Sequence, residues 1–322
     1  SWPVTTPEPM HRGVIDIGTN SVKLLVADCH GSAVQQVAET SRQTRLGRGL
    51  YDSGRLQPEP ITDTAEAVHD YLHLAKREGA VETGIIATSA MREADNALEM
   101  IDALGQAVII LSGDDEARLA YAGVTTDPRL AKRDLLVIDV GGGSTEFTRG
   151  NARGIERHES LPLGSVRLLE GNPIDDPPAA GQLKRARKTI GDQLLQSLPG
   201  SDWNGAVECE LIGTGGVATI LAMMELGIGI FDRDRIEQIS LTHQQATDWC
   251  ERLWSLPLGQ RREITGLPAN RADVALFGSL IYERVMNHFD HKQLQASTRG
   301  IRFGALTGDF FEKNLAKTAS AQ

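Results

Sequence analysis

The chain has 322 residues and a net charge of −10 at pH 7, and 40% of its residues are hydrophobic. Its length predicts two domains of roughly 150 residues each. The acidic balance argues against broad nucleic-acid binding, because domains with that function are usually basic. No apolar run approaches the roughly 20 residues that a membrane span requires, so no membrane partner is expected.

The three cysteines and the first nine residues indicate the cellular compartment in which the protein is expected. Cys29, Cys209 and Cys250 lie far apart and outside any C-x-x-C pattern. Reduced thiols in a cytoplasmic protein are therefore expected, without a zinc site. The segment from Ser1 to Pro9 has no apolar core. It is expected to be a flexible extension or an added remnant rather than a signal peptide.

The first predicted element is a short apolar strand that contains Asp16 and leads into a turn of glycine and hydroxyl residues, Gly18 to Ser21. Strand-like sequence returns at Val22. Glycine lets backbone N–H groups approach an anion, and hydroxyls add donors, so the turn is predicted to bind phosphate. A neighbouring Asp suits a hard cation such as Mg²⁺.

Helices and strands alternate along the rest of the first half, which is typical of α/β layers. Apolar spacing predicts an amphipathic helix from Pro58 to Glu78 that Thr62 or Asp63 can cap. Ser112 and Asp115 have the spacing of a capping box before a further helix, Ala117 to Val124. The remaining predicted elements are a strand at Gly84 to Thr88, a helix at Asn96 to Leu104 and a strand at Ala107 to Leu111.

The same Asp-turn pattern occurs a second time. Thr125 to Arg133 is the predicted linker, and the strand Leu135 to Val140 then contains Asp139 and leads into Gly141 to Ser144, with Glu146 just beyond. A tight structural bend would explain one such turn. Two copies with the same Asp offset argue against that explanation, and two turns facing each other across a cleft would hold a polyphosphate from both sides.

Other phosphate motifs fit less well. No G-x-x-x-x-G-K-[ST] segment occurs, which excludes a Walker P-loop. Gly213-Thr214-Gly215-Gly216 follows an apolar strand and begins a loose dinucleotide-binding pattern, but no strand that ends in an acid follows at the expected distance of about 20 residues.

Several segments occur in an order that resembles the exopolyphosphatase / guanosine-pentaphosphate phosphohydrolase family, from about Gly13 to Leu306. They are both Asp turns, Ala87 to Ala94, Ser112 to Arg118, Leu161 to Gly164, Gly213 to Gly216 and Arg271 to Asp273. The resemblance implies an α/β fold of two ribonuclease-H-like domains, as in the actin, sugar-kinase and heat-shock-chaperone ATPase superfamily, with the active site in the cleft between them. The implied domains span 10–127 and 128–302, with a final helix at about 303–316 that returns to the first domain. The chain resembles the short, two-domain form of the family.

The resemblance also implies roles for individual residues. Glu116 corresponds to the family's catalytic base, and Asp115 stands where the family usually has Glu. A helix-start carboxylate is the alternative for Glu116. Arg92 is expected to neutralise a phosphate, and a surface arginine is its alternative. The expected metal ligands are Asp16, Asp139 and Glu146. The expected phosphate-binding residues are Gly18, Thr19, Asn20, Ser21, Lys23, Gly141, Gly142, Gly143, Ser144, Thr145, Gly213, Thr214, Gly215, Arg45 and Arg271.

The implied activity is hydrolysis of the terminal phosphoryl group of inorganic polyphosphate, or of guanosine pentaphosphate to the tetraphosphate. Mg²⁺ is the expected cofactor, with Mn²⁺ as a substitute and a monovalent cation such as K⁺ as an addition, and a homodimer is expected.

One alternative is an ATP-dependent kinase of the same superfamily with a nucleotide at Gly213 to Gly216, although Ser112 to Glu116 has no evident kinase role. A non-catalytic sensor of polyphosphate or of a guanosine alarmone is the other, and the three carboxylates Glu116, Asp139 and Glu146 argue against it.

Overall fold

Two similar β-sheets organise the protein in a computed structural model that describes residues 11–315. The strands of the first sheet are β1 (His11–Ile17), β2 (Val22–His30), β3 (Ala33–Arg42), β4 (Glu82–Ala87) and β5 (Ile109–Ile110). The strands of the second are β6 (Leu135–Val140), β7 (Thr145–Asn151), β8 (Gly154–Leu161), β9 (Glu210–Thr214), β10 (Ser240–Thr242) and β11 (Gln293–Ala296).

The two sheets share one topology. The first has the order β3-β2-β1-β4-β5, in which β1, β2 and β3 are antiparallel neighbours and β4 and β5 follow in parallel. The second repeats it as β8-β7-β6-β9-β11, and β10 adds an antiparallel strand at the edge. This arrangement is that of two ribonuclease-H-like domains, as the resemblance implied.

Helices cover the sheets and connect their strands. In chain order they are α1 (Leu50–Ser53), α2 (Pro58–Arg77), α3 (Ser89–Glu93), α4 (Ala97–Leu104), α5 (Gly113–Val124), α6 (Ser165–Gly171), α7 (Gln182–Ser197), α8 (Gly215–Leu226), α9 (Arg233–Gln238), α10 (His243–Ser255), α11 (Leu258–Arg261), α12 (Ala275–His288), α13 (Ile301–Ala305) and α14 (Gly308–Phe310). Short 3₁₀ turns span Ala206–Glu208 and Ala269–Arg271, and a π-helical turn spans Phe311–Leu315. None of the helices within residues 11–315 combines the length and apolar character that a membrane crossing demands.

Local sequence signals set several helix ends. The capping box at the start of α5 is present, with Asp115 N–H donating to Ser112 Oγ at 3.1 Å. Helix α4 ends at Gly105, whose φ of 58° is left-handed and costs glycine little. The expected cap of α2 at Thr62 or Asp63 is wrong, because Pro58 begins this helix after Gln57. Proline suits a first helical position, since its missing N–H would have no partner there.

The end of the described chain packs on the first sheet. Phe303, Leu306 and Phe311 are fully buried together with Val14 of β1 and Leu25 of β2. Burying each such side chain contributes about 1.5–3 kcal/mol, so this segment is held firmly although it follows the second sheet in sequence. It consists of short helical pieces from α13 onward, whereas the resemblance implied one helix at about 303–316. The expected extension at 1–9 lies outside the described residues.

Candidate active site

The two Asp turns have the same backbone geometry. In β1 and β2, Asp16 lies opposite Lys23, and in β6 and β7, Asp139 lies opposite Glu146. Gly18 N–H donates to Ser21 O at 3.0 Å, and in the second turn the N–H of residue 141 donates to the carbonyl of residue 144 at 2.9 Å. The duplication in sequence is therefore a duplication in structure, with a carboxylate at the same position in each copy.

The turns face each other across the cleft between the domains. A Cβ on Gly142 would lie 2.9 Å from Thr19 Cβ of the first turn. A Cβ on Gly143 would lie 2.2 Å from Ser89 Oγ. Only glycine allows this approach. Both turns line one cavity of about 570 Å³.

Two further segments, at Gly47 and at the start of α6, form hydrogen bonds with the backbone of the two turns. Gly47 N–H donates to Thr19 O at 2.8 Å. In the second domain, Val166 N–H donates to Gly142 O at 2.9 Å, and a Cβ on Gly164 would lie only 2.3 Å from that oxygen. This contact gives the Leu161 to Gly164 motif a physical role, because it lets the start of α6 hold the second turn in place.

Four carboxylates line the cavity and are each less than a tenth exposed: Asp16, Glu116, Asp139 and Glu146. Burial is the main cause that raises the pKa of each, to about 6 for Asp139 and to about 8 for Glu116. Ser160 Oγ donates to Glu146 Oε1 at 2.8 Å. So many buried carboxylates are unfavourable unless cations accompany them.

Basic groups lie in the same cavity. Arg271 is half-buried as a residue, and desolvation of its guanidinium lowers its pKa. It donates to Ser21 Oγ at 2.5 Å, and no carboxylate within residues 11–315 forms an ion pair with it. Burial and the charges of Arg302 and Arg271 lower the pKa of Lys23 to about 8. A buried guanidinium without an acidic partner, next to glycine turns, favours a bound anion.

Glu116 and Arg92 form an ion pair beside the cavity. Glu116 lies in the first turn of α5, where the helix dipole favours the ionised carboxylate. Arg92 Nη1 donates both to Glu116 Oε1 and to Leu111 O, the latter at 2.7 Å. Arg92 lowers the pKa of Glu116 against the larger effect of burial. Arg92 is not among the cavity-lining residues, and its contact with Glu116 holds that carboxylate; its predicted contact with phosphate stays a prediction.

The residues present suit a Mg²⁺ ion only in part. Asp16 Oδ1 is buried and has no hydrogen-bond partner in the described part of the chain, and Asp139 lines the same cavity. In the described part of the chain, no three His, Cys, Asp or Glu side chains form a ready cluster for a metal. Mg²⁺ usually takes one or two carboxylates and keeps several waters. Asp16 and Asp139 therefore fit the ion best, while Glu146 is bonded to Ser160.

Four residues expected to bind phosphate do not line the cavity. Thr145 Oγ1 donates to the carbonyl of residue 163. Gly213 packs against Tyr282, whose ring atom would lie 2.9 Å from a Cβ there, and Thr214 O accepts from the hydroxyl of the same tyrosine at 2.9 Å. Arg45 points across the cleft to Asp273 instead. From the Gly213 to Gly215 segment, Gly215 alone lines the cavity, and the other two residues are buried within β9.

Two features of the cavity could not be predicted from the sequence. Arg302 of α13 lines the cavity, and no motif in the sequence marks this residue. Only the return of the chain to the first sheet brings Arg302 there. One wall is apolar and includes Val217, Ile220, Met224 and Phe231 of α8 and the loop after it. The apolar sequence of α8 signals burial but does not distinguish a core from a cavity wall.

Comparison with known proteins identifies the family. The Ppx/GppA phosphatase family matches residues 25–312. Exopolyphosphatase 2 of Mycobacterium tuberculosis is 30% identical over 288 residues, which cover 84% of this chain and 88% of that protein. A Ppx/GppA family member from Aquifex aeolicus is 28% identical, with a TM-score of 0.76 over 95% of this chain and 99% of that one. An exopolyphosphatase from Cytophaga hutchinsonii, 23% identical, shares the fold with a TM-score of 0.81 over 92% of this chain and 96% of its own.

These structures confirm the fold that the resemblance implied. Since the family match spans most of the sequence, the chain belongs to the Ppx/GppA phosphatase family.

Proposed function

We propose that the protein is a Mg²⁺-dependent exopolyphosphatase that removes the terminal phosphoryl group of inorganic polyphosphate. The observation that carries the proposal is one cavity in which two glycine turns face each other beside Arg271 and Glu116. Arg271 is a desolvated cation with no acidic partner among residues 11–315, and Glu116 is a buried carboxylate with a raised pKa. A similar protein, from Mycobacterium tuberculosis, is named exopolyphosphatase 2.

Binding of the substrate end follows from the donors in the cavity. The N–H and hydroxyl groups of the two turns offer hydrogen bonds to the last phosphates from opposite sides. Arg271 and Lys23 add positive charge where the domains meet. The substrate replaces solvent around these groups, and its charge compensates theirs.

Hydrolysis requires a water in line with the phosphoanhydride bond and a base that takes its proton. Glu116 is the base in this proposal, since burial raises its pKa to about 8, near a neutral working pH. As the water oxygen bonds to the terminal phosphorus, Glu116 accepts the proton and the bridging P–O bond breaks. The products are orthophosphate and a chain that is one phosphate shorter, and Arg92 keeps the carboxylate oriented throughout.

Asp16 and Asp139 are the residues that would hold Mg²⁺. When bound, the ion supplies positive charge that offsets both the buried carboxylates and the phosphate oxygens. Glu146, which accepts a hydrogen bond from Ser160, would act on waters at the same site rather than as a direct ligand.

The apolar wall supports a second substrate, guanosine pentaphosphate. Phosphates alone need no apolar contact, whereas a nucleoside buries its base against such side chains. Val217, Ile220 and Phe231 provide this surface within the same cavity. The guanosine would lie on this wall while its terminal phosphate occupies the two turns.

Orthophosphate release should be measured side by side from long polyphosphate, tripolyphosphate and guanosine pentaphosphate, with and without Mg²⁺. We expect release from polyphosphate that requires Mg²⁺. Phe231→Ser should weaken activity on guanosine pentaphosphate more than on tripolyphosphate. Ile230→Ser is the matched control, because Ile230 is exposed and is not among the residues that line the cavity. Absence of orthophosphate from every substrate would refute the proposed function.

A further inference from the structure

An ion pair joins the two domains at the solvent edge of the cleft. Arg45 Nη1 donates to Asp273 Oδ2 at 2.7 Å, and Arg45 Nη2 donates to Asn270 O at 2.8 Å. Arg45 belongs to the first domain, and both acceptors belong to the second. The side chains of Arg45 and Asp273 are 37% and 25% exposed, so a solute can reach the pair. We call the Arg45–Asp273 pair the cleft clasp.

The backbone links the clasp to the first phosphate-binding turn. Arg45 N–H donates to Asn20 O of that turn at 3.1 Å. Arg45 has a φ of 53°, a left-handed conformation that is uncommon for a residue with a Cβ. The surrounding hydrogen bonds must therefore hold it, and they fix where its guanidinium emerges relative to the cavity.

This edge of the cleft favours anions. Asn270 and Arg271, next to the clasp in sequence, line the cavity. Arg261 is buried, and its Nε and Nη1 have no hydrogen-bond partner among the described residues. Burial lowers the pKa of Arg261, and the nearby charges of Asp176 and Asp273 oppose that effect. Asp273 thus pairs with Arg45, and its charge also acts on Arg261.

We propose that Asp273 is a resident anion that the outer phosphates of a long polyphosphate displace from Arg45, so that the clasp sets the preference for chain length. The inference rests on the proposed polyphosphatase function. A guanidinium binds phosphate through the same parallel hydrogen bonds as carboxylate, and a half-exposed ion pair is weak enough to exchange. A short substrate occupies the two turns without opening the clasp.

Two variants change the clasp in opposite directions. Asp273→Asn removes the competing charge and should lower the KM for long polyphosphate by about fivefold, the upper value of an exposed ion pair. Arg45→Gln should raise that KM by about as much. In both variants, the KM for tripolyphosphate should change less. Arg48→Gln is the matched control, since Arg48 pairs with Glu59 inside the first domain and should leave the ratio of the two KM values unchanged.

Equal shifts for both substrates would overturn the inference, because the pair would then only hold the domains together; the absence of any shift would overturn it as well. Calorimetric binding of long polyphosphate to the full chain separates this result from the proposed function. If no variant releases orthophosphate, the proposed function fails. The clasp is then supported only if Asp273→Asn binds the polymer more tightly than the unaltered protein, and is refuted if it does not.

Discussion

Replacing Glu116 by Gln should reduce orthophosphate release from polyphosphate by about 10²–10⁴-fold, which is the usual contribution of a positioned base. The amide keeps the shape of the side chain and can still contact Arg92, but it cannot accept the proton of the attacking water. Substrate binding should change little, because the glycine turns and Arg271 remain. Steady-state kinetics and calorimetric binding measure the two effects separately.

The pH profile gives an independent check on Glu116. Only the ionised carboxylate accepts a proton, so kcat/KM should fall as the pH drops below the pKa of Glu116, which is about 8 in the metal-free protein. A bound cation lowers that pKa and moves this fall in kcat/KM to lower pH. The Gln variant should not show the fall in kcat/KM. Asp114→Asn is the matched control, since Asp114 lies in the same helical turn but is 74% exposed. Activity of Glu116→Gln within a few-fold of the unaltered protein would remove Glu116 from the mechanism.

Excess chelator should abolish activity, and Asp139→Asn should raise the Mg²⁺ concentration needed by about tenfold or more, because even an indirect partner of a metal commonly contributes that much. The physical reason is that four buried carboxylates beside anion-binding turns repel a polyanion unless a cation intervenes. Mg²⁺ titration of the rate and Mn²⁺ binding followed by electron paramagnetic resonance give the two readouts.

Thermal unfolding tests the same site without catalysis. Burial raises the pKa of Asp139 from its ordinary value of 3.8 to about 6. Between these two pH values, the folded state keeps a proton on Asp139 that the unfolded state releases. The metal-free fold should lose stability as the pH rises from about 4 to 6, and Mg²⁺ should raise Tm more at pH 8 than at pH 5. Asp134→Asn, an exposed change just before the same strand, should retain the Mg²⁺ response. Full activity in excess chelator, or a Tm that does not change when Mg²⁺ is added, would contradict the metal proposal.

Features that depend on neighbours in sequence could be predicted. Asp16 and Asp139 precede turns whose backbone is set by glycine and by the returning strand, so both copies follow from local pattern. The capping box of Ser112 and Asp115 likewise places Glu116 in a first helical turn. These local rules position the base and the turns without knowledge of the rest of the chain.

Features that depend on distant contacts could not be predicted. Arg45 was expected to bind phosphate, and its ion pair could not be predicted because the partner Asp273 is 228 positions away. Arg302 reaches the cavity only because apolar side chains that follow β11, such as Phe303 and Phe311, pack against the first sheet. Ser160 carries no signal in sequence, since its contact with Glu146 arises from the pairing of β7 with β8.

The central claim is that the facing turns bind a chain end and that the cleft removes one phosphate at a time. Gel electrophoresis of partial polyphosphate digests, with orthophosphate measured in the same samples, tests it most directly. Orthophosphate should appear from the first turnovers while the remaining polymer stays long. Early accumulation of mid-length fragments without orthophosphate would show internal cleavage and contradict the assignment of the cleft as an end-binding site.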